Sequence, residues 1–153
     1  MNALMERFAE KSATAPVTFL IVDDDEVSVM AIKRALKKLR VVNPVGVARD
    51  GQEALDMLRG TNGQAKLNPP YLLTLDLNMP RMDGHEFLEE VRRDPDLHSL
   101  IAFVLSTSDT PDDVAAAYQS NVAGYVVKDD LGDSLENALS MIGSYSRIVE
   151  MPV

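Results

Sequence analysis

The chain has 153 residues, about the length of one domain, and its 46% hydrophobic and 25% charged residues are typical of a globular protein. It contains no cysteine, which excludes disulfides, zinc–thiolate sites, iron–sulfur clusters and thiol nucleophiles and favours a reducing compartment. The net charge of −9 repels phosphate backbones and anionic lipids, so we expect binding to neither nucleic acid nor a membrane surface.

The pattern of apolar residues predicts five strands that alternate with five helices. Residues 17–22 (VTFLIV) form a short apolar run rich in β-branched side chains, as in a strand covered on both faces. After them, Val29, Ile32 and Leu36 recur at three- and four-residue steps, the spacing of an amphipathic helix. The same alternation predicts strands at residues 17–22, 44–48, 71–75, 101–105 and 124–127, and helices at residues 26–39, 52–58, 85–92, 112–119 and 131–145.

Five strand-then-helix units indicate an α/β fold with a doubly wound, five-stranded parallel sheet and helices on both faces. Residues 60–70, rich in Gly, Asn and Pro, are typical of an exposed loop. We expect residues 17–145 to form the domain, residues 1–16 an N-terminal extension and residues 146–153 a C-terminal tail. The extension is either a short docking helix or a disordered tail.

The sequence also predicts where the protein resides. No apolar run approaches the roughly 20 residues that span a membrane. The N-terminus lacks the continuous apolar stretch of a secretion signal. We therefore expect a cytoplasmic protein.

Polar residues follow the ends of the predicted strands. Asp23 and Asp24 come after the first strand, Asp76 after the third, Thr107 after the fourth and Lys128 after the fifth. In the flavodoxin-like strand order 2-1-3-4-5 the first and third strands are neighbours, so these carboxylates meet at one edge of the sheet. A carboxylate cluster without imidazole or thiolate ligands predicts Mg²⁺. Lys128 adds a positive charge suited to an oxygen of a phosphoryl group.

Three further polar residues, Asp25, His85 and His98, have simpler explanations. Asp25 directly precedes a predicted helix, and we expect it to cap that helix. His85 begins another helix and His98 lies in a charged connection, so both are expected to be exposed and neither to bind metal.

Four segments resemble, in order and spacing, the signature blocks of the receiver domain of two-component response regulators. They are FLIVDDDE (19–26), LDLNMPRMDG (75–84), VLSTS (104–108) and GYVVK (124–128). The resemblance covers about residues 17–145. LDLNMP together with VLSTS and the long loop before the third strand is similar to stand-alone receivers that partner bacterial phytochrome histidine kinases.

The resemblance implies a role for each residue of the carboxylate cluster. Asp76 would be the phosphoacceptor, which takes a phosphoryl group from a phosphohistidine of a sensor kinase. Asp24 would bind the metal directly and Asp23 through water. Asn78 would bind the metal through its backbone carbonyl. Asp76 is then the nucleophile, while Mg²⁺ and Lys128 neutralise charge.

It also implies a conformational switch. Thr107 would donate its hydroxyl to a phosphoryl oxygen, Lys128 would pair with another, and Tyr125 would turn inward as Thr107 moves. Receivers usually carry a proline after the lysine, where this chain has Asp129. A cis bond before a non-proline residue costs about 2.5–4 kcal/mol, so we expect the bond after Lys128 to be trans.

The expected partners follow from the same resemblance. With no output domain expected after the receiver, the signal would pass by protein contacts with the kinase, with a histidine phosphotransfer protein or with another binding partner. Receivers commonly dimerise through the fourth and fifth helices and the strand between them. We also expect a homodimer through the C-terminal part, because the end of this chain adds apolar residues at Tyr145, Ile148, Val149, Met151 and Val153. Asn78 and Asp109 would flank the path of the attacking water and permit fast loss of the phosphoryl group, unless Asp109 only caps the fourth helix.

Two other functions remain as alternatives. LDLN resembles half of the Asp-x-Asp motif of haloacid-dehalogenase-type phosphatases, which suggests an Mg²⁺-dependent phosphohydrolase with an aspartyl-phosphate intermediate. Asn78 stands where that motif needs its acid/base aspartate. A flavodoxin-like FMN module would need a turn rich in Ser, Thr or Gly after the first strand, where this chain has three aspartates.

Overall fold

Five strands and five helices alternate along the part of the chain that the computed structural model describes, namely residue 3, residues 16–128 and residues 133–152. The strands are β1 (Thr18–Val22), β2 (Val45–Ala48), β3 (Tyr71–Leu75), β4 (Ile101–Ser106) and β5 (Gly124–Val127). The helices are α1 (Glu26–Lys38), α2 (Gly51–Arg59), α3 (Gly84–Arg93), α4 (Pro111–Gln119) and α5 (Asp133–Ile148). The predicted α/β fold is confirmed. Apart from α5, the predicted ends of the elements lie within one residue of the observed ends.

The five strands form one parallel sheet in the predicted order, β2-β1-β3-β4-β5. Val22 at the end of β1 lies opposite Leu75 at the end of β3. Backbone hydrogen bonds continue into the next residues, since Asp23 donates its N–H to Ala48 O at 3.0 Å and Asp76 donates its N–H to Val22 O at 2.9 Å. The residues that follow β1 and β3 therefore leave the sheet side by side at its carboxyl edge.

Apolar side chains pack against both faces of the sheet. Helices α2, α3 and α4 cover one face with residues such as Leu55 and Phe87, and α1 and α5 cover the other with residues such as Ile32 and Leu139. Every residue of β1 and β3 is buried, which explains their nearly continuous apolar sequences. Burial of each large apolar side chain contributes about 1.5–3 kcal/mol, so the two cores hold these strands firmly.

Side-chain caps begin four of the helices. The capping residues are Asp25, Asp50, Asp83 and Thr110. The predicted cap at Asp25 is confirmed, because its Oδ1 accepts the N–H of Val27 at 3.0 Å. The explanation of Asp109 as the cap of α4 is wrong. Thr110 has that role, and its Oγ1 accepts the N–H of Asp113 at 3.3 Å.

The C-terminal end differs from the prediction. Helix α5 continues to Ile148 instead of ending at Tyr145. The N–H of Val149 then donates to Tyr145 O at 3.0 Å, which adds a last hydrogen bond to the final turn. Met151 is 9% exposed and packs into the core between the sheet, α1 and α5. Met151 therefore packs against its own domain, whereas Ile148 stays 65% exposed. Of these two residues of the apolar tail, only Ile148 is left open to a symmetry mate.

Some expectations concern positions outside the described residues. They are the structure of the N-terminal extension, the start of the last helix at Leu131 and the bond between Lys128 and Asp129. Within the described ranges, no helix combines the length and the apolar character needed to cross a membrane.

Candidate functional site

Three carboxylates converge at the carboxyl edge of the sheet. Oxygens of Asp23, Asp24 and Asp76 lie within 4.8 Å of one another. The register of β1 and β3 produces this arrangement, because Asp23 and Asp76 each follow one of two paired residues. Asp23 is 2% exposed and Asp76 is 9% exposed, whereas Asp24 is open to solvent. The structure therefore brings together the three aspartates that the sequence placed at this edge.

Lys128 reaches the same cluster from the end of β5. Its N–H donates to Ser106 O at 2.7 Å, which extends the pairing of β4 with β5 and fixes the start of the side chain. The ammonium Nζ lies 2.7 Å from Asp23 Oδ2 and 3.9 Å from Asp76 Oδ2, and the side chain is 7% exposed. Lys128 is thus a buried cation placed between two of the carboxylates.

Burial is the main influence on the protonation of Asp76. It raises the pKa of the Asp76 carboxyl above its usual value, because a carboxylate loses hydration when it is buried. The Lys128 ammonium opposes this effect and the Asp23 carboxylate adds to it, while backbone N–H groups of Asn78 and Leu77 lower the pKa. The site is therefore short of positive charge, and an added cation would stabilise it.

The donor atoms of the cluster fit a hard divalent cation. Three carboxylates offer oxygen ligands of the kind that Mg²⁺ and Mn²⁺ take, and Asp24 and Asp76 could hold such an ion beside Asp23. Asn78 lies two residues after Asp76, and its N–H is 3.5 Å from Asp76 Oδ1. Its backbone is thus beside the cluster, as the prediction of a carbonyl ligand requires.

The loop after Asp76 folds back on itself before α3 begins at Gly84. Gly84 donates its N–H to Leu77 O at 2.9 Å, and a Cβ at Gly84 would lie 2.6 Å from Asp76 O. Only glycine fits this approach. Within the same loop, Arg81 forms an ion pair with the buried Asp50 at the start of α2. The backbone on the C-terminal side of Asp76 is therefore held at two points.

Thr107 begins the connection from β4 to α4, and Tyr125 on β5 contacts this connection. Thr107 is exposed, and its hydroxyl makes no hydrogen bond to the described residues. The half-buried Tyr125 donates its hydroxyl to Ser108 O at 2.8 Å. Burial raises the pKa of the Tyr125 hydroxyl, so this donor stays protonated at neutral pH. The tyrosine ring thus supports the connection directly after Thr107.

A network that the sequence did not predict joins this connection to two helices. Asp113 Oδ1 lies 2.9 Å from His85 Nε2, and the other oxygen of Asp113 accepts from Ser108 Oγ. These contacts, that of Ser108 first, lower the pKa of the Asp113 carboxyl. The prediction that His85 is exposed is wrong, since this contact leaves its side chain 28% exposed, whereas His98 is exposed as expected.

Ser28 is a second residue that sequence patterns missed. It lies on the first turns of α1, is 6% exposed, and its Oγ is 3.4 Å from Lys128 Nζ. A serine within an amphipathic helix is unremarkable by its spacing. Its contact depends on the distant residue Lys128, so only the fold reveals it.

Comparisons with known proteins agree with this geometry. The model of the response regulator receiver domain family matches residues 19–140. The chain is 34% identical over 133 residues to the probable methanogenesis regulatory protein FilR2 of Methanothrix harundinacea, which covers 87% of this chain and 85% of that protein. It is 35% identical over 114 residues to the response regulator Rcp1 of Synechocystis sp., covering 74% of this chain and 77% of Rcp1.

Solved structures give the same result. The phosphorylated cyanobacterial phytochrome response regulator RcpA superposes with a TM-score of 0.83 at 32% identity, covering 91% of this chain and 100% of that one. The Mn²⁺-bound form of Rcp1 superposes with a TM-score of 0.78 at 30% identity, covering 90% of this chain and 100% of that one. The similarity therefore extends over almost the whole chain.

Proposed function

The chain belongs to the response regulator receiver domain family, and from that membership we propose that Asp76 accepts a phosphoryl group from a sensor histidine kinase. The observation that carries the proposal is the surroundings of Asp76. Lys128 Nζ is 3.9 Å from its carboxylate, and oxygens of Asp23 and Asp24 lie within 4.8 Å. The expected receiver-type response regulator, with phytochrome response regulators among its relatives, is confirmed by the family match and the similar structures.

The proposed chemistry uses Asp76 as the nucleophile. A carboxylate oxygen attacks the phosphorus of a phosphohistidine, an O–P bond forms, and the P–N bond breaks with its electron pair left on the imidazole nitrogen. Lys128 donates to an oxygen of the transferring group, and Thr107 donates to another after the β4–α4 connection moves inward. Movement of Thr107 would break the support that Tyr125 gives at Ser108 and let the tyrosine ring turn inward.

We propose Mg²⁺ as the resident metal. Receiver domains bind divalent metal ions, and the Mn²⁺-bound form of the relative Rcp1 supports such a site. Asp24 and Asp76 would hold the ion directly, Asp23 through water, and Asn78 through its carbonyl. When bound, the ion supplies charge neutralisation for the transferring phosphoryl group.

Receiver domains work with histidine kinases, and the phytochrome relatives support a phytochrome kinase as the source of the phosphoryl group. A histidine phosphotransfer protein as a further partner, a homodimer, and a cytoplasmic location stay predictions. So does the division into a domain at residues 17–145 with flanking segments.

Intact-mass measurement after incubation with acetyl phosphate and Mg²⁺ tests the proposal. We expect one phosphoryl group on the wild type and none on Asp76→Asn, because the amide keeps the shape but not the nucleophile. Asp83→Asn is the matched control, since asparagine also caps a helix and the residue lies outside the carboxylate cluster. Phosphorylation of Asp76→Asn would refute the assignment. Continuous turnover of acetyl phosphate would favour the phosphohydrolase instead.

A further inference from the structure

Ser28 occupies a buried position between the first helix and the phosphoryl site. Its side chain is on the face of α1 that packs against the sheet, next to the apolar Val29, and the residue is 6% exposed. Its Oγ donates to Asp25 Oδ2 at 3.1 Å and accepts from Lys128 Nζ at 3.4 Å. A hydroxyl therefore links the cap of α1 to the lysine of the site.

The direction of this hydrogen-bond chain is fixed by chemistry. A carboxylate can only accept a hydrogen bond and an ammonium can only donate one. The Ser28 hydroxyl must therefore donate its hydrogen bond to Asp25 and accept one from Lys128. Asp25 is itself held at two further atoms. Its Oδ1 accepts the N–H of Val27 at 3.0 Å, and its own N–H donates to Asp23 Oδ1 at 2.9 Å. The hydroxyl therefore has one preferred orientation.

The Lys128 ammonium has three N–H groups to place in a site where its side chain is 7% exposed. One N–H donates to Asp23 at 2.7 Å, and the Asp76 carboxylate lies at 3.9 Å. A phosphoryl group on Asp76 would need an N–H that points toward it. Ser28 offers a neutral acceptor for the Lys128 ammonium. It therefore holds the ammonium without adding a negative charge that would compete with the phosphoryl group for it.

We propose that Ser28 is a positioning residue for Lys128 in phosphoryl transfer to Asp76, an inference that rests on the proposed function. It is not a catalytic residue, because its hydroxyl contacts the lysine and the helix cap and not the reacting carboxylate. Helix propensity does not explain a serine here, since alanine suits a helix interior better. A hydrogen bond of 3.4 Å is weak, so the expected effect is a moderate change in rate.

The main test is a double-mutant cycle that combines Ser28→Ala with Lys128→Gln. Phosphorylation of Asp76 by acetyl phosphate in saturating Mg²⁺ is followed by intact mass. We expect Ser28→Ala to slow the reaction roughly two- to tenfold, as for one hydrogen bond. In the Lys128→Gln background it should produce no further change. Ser146→Ala is the control, because Ser146 is also a buried helical serine, and its Oγ donates to Gly143 O in α5. That variant should keep the wild-type rate.

A second measurement does not depend on phosphorylation. In protein with ¹⁵N-labelled lysine, Ser28→Ala should shift the Lys128 ammonium resonance of the metal-free state, whereas Ser146→Ala should not. An unchanged resonance, a wild-type rate in Ser28→Ala, or an equal loss of rate in the Lys128→Gln background would overturn the proposal. If the wild type takes no phosphoryl group, the proposed function fails, and the resonance still decides whether Ser28 holds Lys128.

Discussion

At the scale of single residues, the charge of Asp76 dominates the site. Burial raises the pKa of its carboxyl, against the opposing effect of Lys128 and with a further rise from Asp23. A raised pKa in the folded state means that the folded protein holds this proton more tightly than the unfolded chain does. The resulting stabilisation is complete below the unfolded-state pKa and is lost as pH rises through the folded-state pKa. At neutral pH the ionised Asp76 therefore destabilises the metal-free protein.

We expect Asp76→Asn to melt at a higher temperature than the wild type at neutral pH without metal. The difference should shrink as pH falls through the pKa of Asp76, because the wild-type carboxyl then becomes neutral as well. Thermal melts across a pH series, with a metal chelator present, measure this difference in melting temperature. Asp83→Asn serves as the control, and an equal difference with the same pH profile in that variant would contradict a specific role of the cluster.

The metal ligands lead to a second prediction at this scale. Few protein oxygens are available to hold Mg²⁺, so Asp24→Ala leaves water in the place of one of them. We expect the dissociation constant for Mg²⁺ to rise on the order of tenfold or more, since even supporting residues of metal sites cost 10–100-fold. Isothermal titration calorimetry measures it. Asp109→Ala removes an exposed carboxylate outside the cluster, and an equal loss of affinity there would contradict the ligand assignment.

Individual site residues were predictable to different degrees. Asp23 and Asp76 could be placed together from the sequence, because each follows a strand and the strand order makes those two strands neighbours. Lys128 could be placed at the same edge because it follows β5, and its long side chain reaches Asp23 across that edge. Ser28 and His85 could not. Ser28 contacts Lys128, and His85 contacts Asp113, which lies 28 residues further along the chain. No spacing pattern in the sequence predicts contacts between residues that are this far apart.

At the scale of secondary-structure elements, the connection from β4 to α4 is the part best placed to move. It is held by the hydroxyl of Tyr125 at Ser108 O and by Asp113, which binds both Ser108 and His85 of α3. Thr107 lies at the start of this connection and is exposed. These few polar contacts, rather than a packed core, hold the segment in its present position. They tie the movement proposed for Thr107 to the packing of α3 against α4.

The connection from β4 to α4 also contains Asp109, for which the sequence allowed two roles, namely capping of α4 and control of the path of the attacking water. Since Thr110 caps α4, replacement of Asp109 should leave the helix intact. We expect Asp109→Leu to slow loss of the phosphoryl group several-fold, because a bulky apolar side chain would cover the path of the attacking water. The decay of phosphorylated protein, followed by intact mass after removal of the phosphodonor, measures it.

Thr110→Ala is the control for this experiment. It should lower the free energy of unfolding by about 1 kcal/mol through the lost cap, with the decay rate unchanged. A wild-type decay rate in Asp109→Leu would show that the side chain at this position does not control access of water.

The limits of sequence patterns at this scale are clearest in α5. The strands and the other helices end where polar or glycine residues interrupt an apolar period, and these ends are visible in the sequence. The end of α5 is not, because Ser146 is compatible with either a helix or a tail. Its hydroxyl satisfies Gly143 O within the helix, and the final turn continues to Ile148.

At the scale of the whole molecule, the end of the chain belongs to the core of the domain. The carboxyl ends of the strands carry the cluster of Asp23, Asp24 and Asp76, whereas the chain after α5 returns to the core, where Met151 joins the apolar cluster formed with α1 and α5. This return changes how self-association can be tested. A truncation after Tyr145 would remove Met151 from the core as well as any contact between subunits.

The exposed apolar residues of the last two helices give the sharper test of a homodimer. Strand β5 forms an edge of the described sheet and is half-exposed along its length. Of its flanking helices, α4 exposes Tyr118 and α5 exposes Met141 and Ile148, the last at 65%. A face of this kind gains by burial against a symmetry mate, and a charge on it opposes that burial.

We expect light scattering to show a dimer for the wild type and a monomer for Ile148→Glu. Val42 is 93% exposed in another part of the chain, so Val42→Glu should leave the dimer intact. A monomeric wild type at high concentration, or equal dissociation of both variants, would contradict a dimer built on this face.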